Sequence, residues 1–120
     1  QNNLAIQYMQ SAVKFAQLIQ ANRVLAVTYC NLANLYTKIH QPEQALVYAL
    51  NSKKFADLLP KDFRIQIYAL NAICRAYIEM ENYPLALQYV QEYTQIAKRV
   101  NDKDAEVFGA SALGMIYKGM

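Results

Sequence analysis

Few residues in this chain of 120 break helices, bind metals or form disulfides. It contains 3 Gly, 3 Pro, 2 Cys and 1 His, and it has no Trp. Because Gly and Pro are scarce while Ala, Leu, Gln and Tyr are plentiful, the composition favours long helices over a strand-and-turn fold. The two cysteines, Cys30 and Cys74, lie far apart, and with one histidine they are too few to ligate zinc. We therefore expect an all-α fold without a metal site.

The sequence lacks the usual signals of membrane insertion, nucleic-acid binding and catalysis. No apolar run reaches the roughly 18 residues that a membrane helix needs. The formal net charge is only +3, and basic residues never run longer than the pairs Lys53-Lys54 and Lys98-Arg99. The single histidine, His40, lies beside Pro42, where no Ser-His-Asp or Cys-His pair can be built, and no Gly-rich phosphate loop occurs. We therefore expect neither an enzyme nor a bound cofactor.

The chain instead repeats a helical pattern three times. The copies are AIQYMQSAVKFAQLI, ALVYALNSKKFADLL and ALQYVQEYTQIAKRV, which begin at Ala5, Ala45 and Ala86 and so are 40 and 41 residues apart. A second helical pattern follows each copy at the same period, over 26–36, 67–77 and 107–117. Two types of helix therefore alternate in one register.

Short polar and proline-containing joints set the expected helix limits. The prolines Pro42 and Pro84 suit a first helical turn, and Pro60 ends a helix. Polar caps are expected in the other joints, at Asn22, Asp62 and Asn101-Asp102. The predicted helices span 3–20, 23–39, 43–59, 62–81, 84–100 and 104–119. Because the connections are short, consecutive helices should form antiparallel hairpins that stack on one another.

Small residues recur at the repeat period. The columns are Ala5, Ala45 and Ala86; Ala16, Ala56 and Ala97; and Ala33, Cys74 and Gly114. A short side chain lets two helix backbones approach closely, so these columns predict contacts between stacked helices. Size alone then explains Cys74, without a redox role.

These columns resemble the signature of the tetratricopeptide repeat family over essentially the whole chain. In that family the first helix of each repeat, helix A, carries a large residue, Leu, a small residue and Tyr at fixed offsets. The matching residues here are Tyr29, Leu32, Ala33 and Tyr36; Leu70, Ile73, Cys74 and Tyr77; and Ala110, Leu113, Gly114 and Tyr117. The small residue that marks the second helix, helix B, matches Ala45 and Ala86.

The chain departs from the family pattern in two ways. Its period exceeds the usual ~34 residues, and Gln17, Asp57 and Lys98 stand where a proline normally ends helix B. Both changes lengthen helix B. The chain is in this respect similar to the long-helix variety found in polarity adaptors, kinesin light chains and bacterial signalling regulators.

The resemblance implies an α-α superhelix of stacked antiparallel hairpins, a solenoid whose A helices line a concave groove. It divides one repeat domain, 1–120, into helix B of a truncated repeat (1–21), two repeats (22–61 and 62–103) and helix A of a truncated repeat (104–120). Apolar surface is then expected at both ends, as in a fragment of a larger scaffold or signalling protein or in a chain that self-associates through its uncapped ends.

In the family the groove binds a peptide or helix of a partner, so the resemblance implies a protein-interaction module. The groove positions carried over are Val27, Cys30, Asn34, Thr37, Lys38, Tyr68, Asn71, Arg75, Ile78, Glu79, Phe108, Ser111, Met115 and Lys118. Asn34 and Asn71 can bind a ligand backbone, and Arg75 can bind a carboxylate. The co-chaperone clamp for a C-terminal carboxylate is disfavoured, because Cys30 and Ala72 replace two of its polar residues and Phe108 and Ala112 replace its third-repeat bases.

Two further expectations follow from the resemblance. The tyrosine column Tyr8, Tyr48 and Tyr89 is interpreted as packing, because helix B lies outside the groove in the family. The alternative function is a peptide-sensing regulatory domain of a bacterial transcription regulator or signalling enzyme, which these residues do not separate from a scaffold. We expect a protein or peptide partner, no direct contact with nucleic acid or membrane, and a cytoplasmic location.

Overall fold

The chain is helical throughout the part that the structure, a computed structural model, describes, which is residues 2–18 and 21–120. Over these residues there are six helices and no strand: α1 (Asn2–Leu18), α2 (Asn22–Lys38), α3 (Pro42–Ala56), α4 (Phe63–Glu79), α5 (Tyr83–Arg99) and α6 (Lys103–Gly119). The all-α prediction is confirmed. None of the six helices is long and apolar enough to cross a membrane.

Helix limits agree with the prediction to within a few residues, and α3 shows the largest difference. It ends at Ala56, whereas the sequence predicted an end at residue 59. The N–H groups of Leu58 and Leu59 bond back only three residues, which tightens the last turn. Residue 59 is also disfavoured in helical geometry because Pro60 follows it. The predicted end of the first helix at residue 20 lies outside the described residues.

Among the residues that the structure describes, side-chain caps begin α4, α5 and α6. The caps of α4, α5 and α6 are Asp62, Asn82 and Asp102, and each accepts a hydrogen bond from the N–H of the residue three positions on. The prediction was wrong for Asn22, which is already the first residue of α2, a helix with no side-chain cap bond. The cap predicted at Asn101-Asp102 is made by Asp102, and Asn101 lies before it in a left-handed conformation.

In the described part of the chain, three helix ends are followed by a residue with positive φ. His40, Glu81 and Asn101 follow α2, α4 and α5 with φ of 64°, 59° and 59°. The N–H of Gln41 then bonds to the carbonyl of Tyr36 at 2.9 Å, and the other two joints repeat this bond, as in a Schellman motif. Through these tight turns, α3, α5 and α6 pack back against α2, α4 and α5, respectively.

Consecutive helices pack against each other along the described chain, and α2 also packs against α4 and α4 against α6. Since the connections are short, consecutive helices run antiparallel. Among the described residues, the odd-numbered helices contact only even-numbered ones. The even-numbered helices consequently form a continuous row. Within the described residues, the odd-numbered helices form no such row.

The core is a series of clusters between neighbouring helices. Its members include Ile6, Val13 and Leu32 between α1 and α2; Cys30, Ala49 and Ile73 among α2, α3 and α4; and Leu70, Val90, Tyr93 and Ile116 among α4, α5 and α6. Five alanines at repeat positions are fully buried, as are Ala33 and Cys74; the five are Ala16, Ala45, Ala56, Ala86 and Ala97. Each helix is therefore stabilised mainly by its immediate neighbours.

The close approach expected at Gly114 is absent. No atom lies within 4 Å of the position that a Cβ would occupy there, because the described chain has no helix against that face of α6. Tight contacts with α5 occur instead at Gly109, which is buried against Thr94 and Tyr93, and at Gly119, against Tyr83.

Candidate partner-binding groove

Side chains from α2, α4 and α6 together line a cavity of about 500 Å³. Its lining residues are Cys30, Asn31 and Asn34 from α2; Tyr68, Asn71 and Arg75 from α4; and Phe108, Ser111, Ala112 and Met115 from α6. All of these except Asn31 and Ala112 are groove positions predicted from the sequence. Equivalent positions of the repeat therefore come together in space because the even-numbered helices form one row.

The lining of this cavity is chemically mixed. Asn34, Asn71 and Arg75 supply amide and guanidinium groups, which can bind the backbone and the charged groups of a peptide. Two apolar side chains of α6, Phe108 and Met115, are 46% and 48% exposed, so they can contact a ligand without moving out of a core. The cavity thus offers both polar recognition and apolar contact area.

Arg75 connects α4 to α2 within the cavity. Its Nη1 donates a hydrogen bond to Oδ1 of Asn34 at 3.2 Å. None of the ion pairs within the described part of the chain includes Arg75. The bond to Asn34 therefore fixes the guanidinium while leaving its charge without a carboxylate.

Cys30 is buried at the edge of the cavity and hydrogen-bonds to α4. Its Sγ donates to the carbonyl of Tyr68 at 3.4 Å, and the amide of Asn34 lies 3.9 Å away as a donor to the sulfur. Burial raises the pKa of the Cys30 thiol to about 11, although the positive charge of Arg75 acts in the opposite direction. The thiol is therefore protonated at neutral pH.

Two more cavities adjoin the first along α2 and α4. One of about 540 Å³ shares Asn34 and Arg75 with it and extends past Thr37, Lys38 and Glu79. The other, of about 130 Å³, shares Cys30 and Tyr68 with it and extends past Val27, Arg23 and Arg64. We call these three connected cavities the α2–α4 groove.

Two of the predicted groove residues do not line the groove, and a third, Thr37, is buried. Ile78 packs against the core cluster of α4, α5 and α6, and Lys118 is exposed on α6 without lining the groove. Thr37 lines the groove but is 7% exposed, and its Oγ1 has no hydrogen-bond partner in the described chain.

The prediction missed several lining residues, chiefly Asn31, His40 and the pair Arg23 and Arg64. Asn31 could have been found, because it lies three residues before Asn34 and so on the same helix face. His40 lies in the left-handed turn after α2 and lines the groove there, with its Nδ1 3.1 Å from Oε2 of Glu79. No pattern in the sequence marks that contact.

Within the described residues, no group of His, Cys, Asp and Glu side chains is arranged to hold a metal ion. No protein-family model, curated protein or solved structure matches the chain. The resemblance to tetratricopeptide repeats therefore remains a prediction from the residues, and its consequences enter below as a proposal.

Proposed function

We propose that this chain is a protein-interaction module of the tetratricopeptide repeat type, in which stacked hairpins wind into a superhelix and the α2–α4 groove holds an extended or helical segment of a partner. The observation that carries the proposal is that side chains at equivalent repeat positions on α2, α4 and α6 line one cavity. A groove built by successive repeats suits a ligand that is itself extended along the repeats.

The chemistry of the groove supports a peptide ligand. Asn34 and Asn71 lie on successive even-numbered helices and line the same cavity, where each amide can both donate to and accept from a peptide backbone. Tyr68 and Phe108 add apolar contact area beside them. Such a site binds the backbone through the amides and selects side chains through the aromatic surface.

A peptide selection tests this proposal. Decapeptides are selected on the wild-type chain from a random library, and the affinities of the best binders are measured by calorimetry. Asn71→Ala combined with Arg75→Ala should weaken binding by about 100-fold or more, because two groups that bond to the ligand are removed. The helical circular dichroism signal should stay unchanged.

A matched control variant lies outside the groove. Gln88→Ala combined with Lys98→Ala removes one amide and one cation from exposed positions of α5, and it should leave the affinities unchanged. Equal binding by the wild type and the Asn71/Arg75 variant would exclude the groove as the binding site, and so would a failure to select any peptide.

A second candidate role, self-association through the end helices, is favoured by the tyrosines. Tyr48 stacks on Tyr36 with ring centroids 5.2 Å apart, and Tyr89 stacks on Tyr77 at 5.8 Å. The residues at the equivalent end positions, Tyr8 of α1 and Tyr117 of α6, are 68% and 61% exposed. Packing α6 of one copy against α1 of another would repeat the internal pairing of an A helix with a B helix.

Sedimentation of complementary variants tests this second role. The wild-type chain should form oligomers that grow with concentration, because such a head-to-tail contact does not close. Tyr8→Lys and Tyr117→Lys should each be monomeric, while their mixture should form heterodimers through the two intact faces. A wild-type chain that stays monomeric at millimolar concentration would exclude this role.

A further inference from the structure

We propose that the outward face of α3 binds the same face of a second copy, so that two chains form a symmetric antiparallel dimer. The face consists of four residues, Glu43, Val47, Leu50 and Lys54, which we call the α3 stripe. None of the four lines the α2–α4 groove. The inference therefore concerns a surface apart from the groove and from the end helices.

The α3 stripe lies on the side of α3 that faces away from the other helices. Its residues fall within about 60° of the helix circumference, because a helix turns once in 3.6 residues. The opposite side carries the buried residues of α3, which are Ala45, Ala49, Ser52 and Ala56. In the described chain α3 contacts only α2 and α4, and all four stripe residues are exposed. This face is therefore accessible to a partner chain.

Two aliphatic side chains form the middle of the α3 stripe. Val47 is 58% exposed and Leu50 is 43% exposed. The equivalent repeat positions of α1 and α5 carry exposed glutamines, which are Gln7, Gln10, Gln88 and Gln91. The apolar pair is thus particular to α3, and the outward faces of α1 and α5 show that the fold does not need it. Contact with a second chain would remove the pair from water.

The two ends of the α3 stripe carry opposite charges. Glu43 lies one helical turn before Val47, and Lys54 lies one turn after Leu50. Neither charge takes part in the ion pairs found among the described residues. When a second stripe is laid against the first in the reverse direction, Glu43 meets Lys54 of the second copy, and Val47 meets Leu50 of the second copy. The stripe is therefore complementary to itself.

A two-fold axis between Val47 and Leu50 produces this arrangement. Each contact then occurs twice, as an isologous interface requires. Antiparallel helices that cross at about 20° keep the ends of the two stripes close enough for the long side chains to meet. Parallel pairing would place Glu43 against Glu43 and Lys54 against Lys54, and like charges disfavour it. Charge therefore selects a second copy in the antiparallel orientation as the occupant of this face.

The dimer should be weak, and it should leave both grooves open. One helix face buries less than the roughly 800 Å² per partner of a stable complex, so we expect a dissociation constant between about 10 μM and 1 mM. Because residues of other helices line the groove, each chain of the dimer keeps its own. The dimer can then hold two segments of one partner, and the second binding step becomes intramolecular. This consequence rests on the proposed function, whereas the dimer itself does not.

Sedimentation equilibrium of a chain that carries both Tyr8→Lys and Tyr117→Lys tests this inference. With the end-to-end contact alone this chain would be monomeric, so a dimer at high concentration reports the α3 stripe. In the same chain, Val47→Gln with Leu50→Gln copies the glutamines of α1 and α5 and should weaken dimerisation at least about 10-fold.

The matched control lies at the equivalent positions of α5. Gln88→Ala with Gln91→Ala also changes two exposed outward residues, and it should leave the dissociation constant unchanged. A glutamine variant of α3 that dimerises as tightly as this control would overturn the inference. A chain that stays monomeric at millimolar concentration would overturn it as well, and the stripe would then belong to a different partner protein.

Exchange of the charges tests the antiparallel orientation. Glu43→Lys and Lys54→Glu should each weaken dimerisation about 10-fold at low salt, because each substitution creates two contacts between like charges. A mixture of these two variants should form heterodimers as tightly as the unmodified stripe does, since every contact again joins opposite charges. A mixture that dimerises no better than its components would overturn the proposed pairing.

Discussion

Gly109 of α6 faces Thr94 of α5 so closely that a Cβ at Gly109 would overlap Cγ2 of Thr94. Thr94 cannot rotate away freely, because its Oγ1 donates to the carbonyl of Val90 at 2.7 Å. Gly109→Ala should therefore lower the free energy of unfolding by about 1–3 kcal/mol, measured by urea denaturation, since the overlap must be relieved by a shift of α6.

The same substitution elsewhere in α6 is the matched control. Gly114 has no atom within 4 Å of its Cβ position, so Gly114→Ala should raise the free energy of unfolding by roughly 0.5–1 kcal/mol through helix propensity alone. If both variants changed stability in the same direction, the close approach at Gly109 would be ruled out.

Tyr93 has a buried hydroxyl without a hydrogen-bond partner in the described chain. Its ring fills the cluster between α4, α5 and α6, so the hydroxyl is desolvated without compensation. Tyr93→Phe should keep the packing and raise the free energy of unfolding by about 1 kcal/mol. Tyr8→Phe, at an exposed position, should leave it unchanged. A less stable Tyr93→Phe variant would mean that the hydroxyl does bond in solution.

Glu81 follows α4 with a φ of 59°, a conformation that costs an ordinary residue about 1 kcal/mol and glycine almost nothing. Glu81→Gly should therefore raise the midpoint of thermal unfolding. Asn101→Gly, at the same φ after α5, should raise it less because asparagine tolerates this region. Equal or negative shifts for both variants would contradict the left-handed turns.

Stability should fall above pH 9. Burial raises the pKa of the Cys74 thiol from 9.0 to about 12 and that of Cys30 to about 11. Because the folded thiols hold their protons more tightly than the unfolded ones, this contribution is complete below pH 9 and is lost as the pH rises towards the folded values. Burial also raises the pKa of Tyr93, which acts in the same direction.

Urea denaturation at pH 7, 9 and 10.5 measures this dependence. The wild type should lose little stability through these groups between pH 7 and 9 and more between pH 9 and 10.5. Cys74→Ala, although less stable overall, should lose less between pH 9 and 10.5. A wild-type stability that is flat to pH 10.5 would show that the thiols are not buried as described.

The helices were predictable from the sequence because they depend on local signals repeated at a fixed period. Pro42 and Pro84 lie in first helical turns as expected, and Asp62 caps α4. The left-handed turns were not predicted, because Glu81 occupies a position where glycine is the usual signal. Their geometry is set by the packing of the helices on either side.

The candidate site was predictable only as a set of repeat positions. The period brings Asn34 and Arg75 to equivalent places on neighbouring helices, and in the structure they are hydrogen-bonded. Which glycines make close contacts was not predictable, since Gly109, Gly114 and Gly119 all lie in α6 and only the position of α5 distinguishes them. The burial of Ile78 depends in the same way on neighbouring helices.

The most direct test of the binding account is a map of backbone amide chemical shifts in the isotope-labelled chain, titrated with a peptide selected as described above. We expect the shift changes to concentrate along α2, α4 and α6 around Asn34, Asn71 and Arg75, and we expect Asn71→Ala with Arg75→Ala to remove them. Shifts concentrated on α3 and α5, or persisting in that variant, would contradict it.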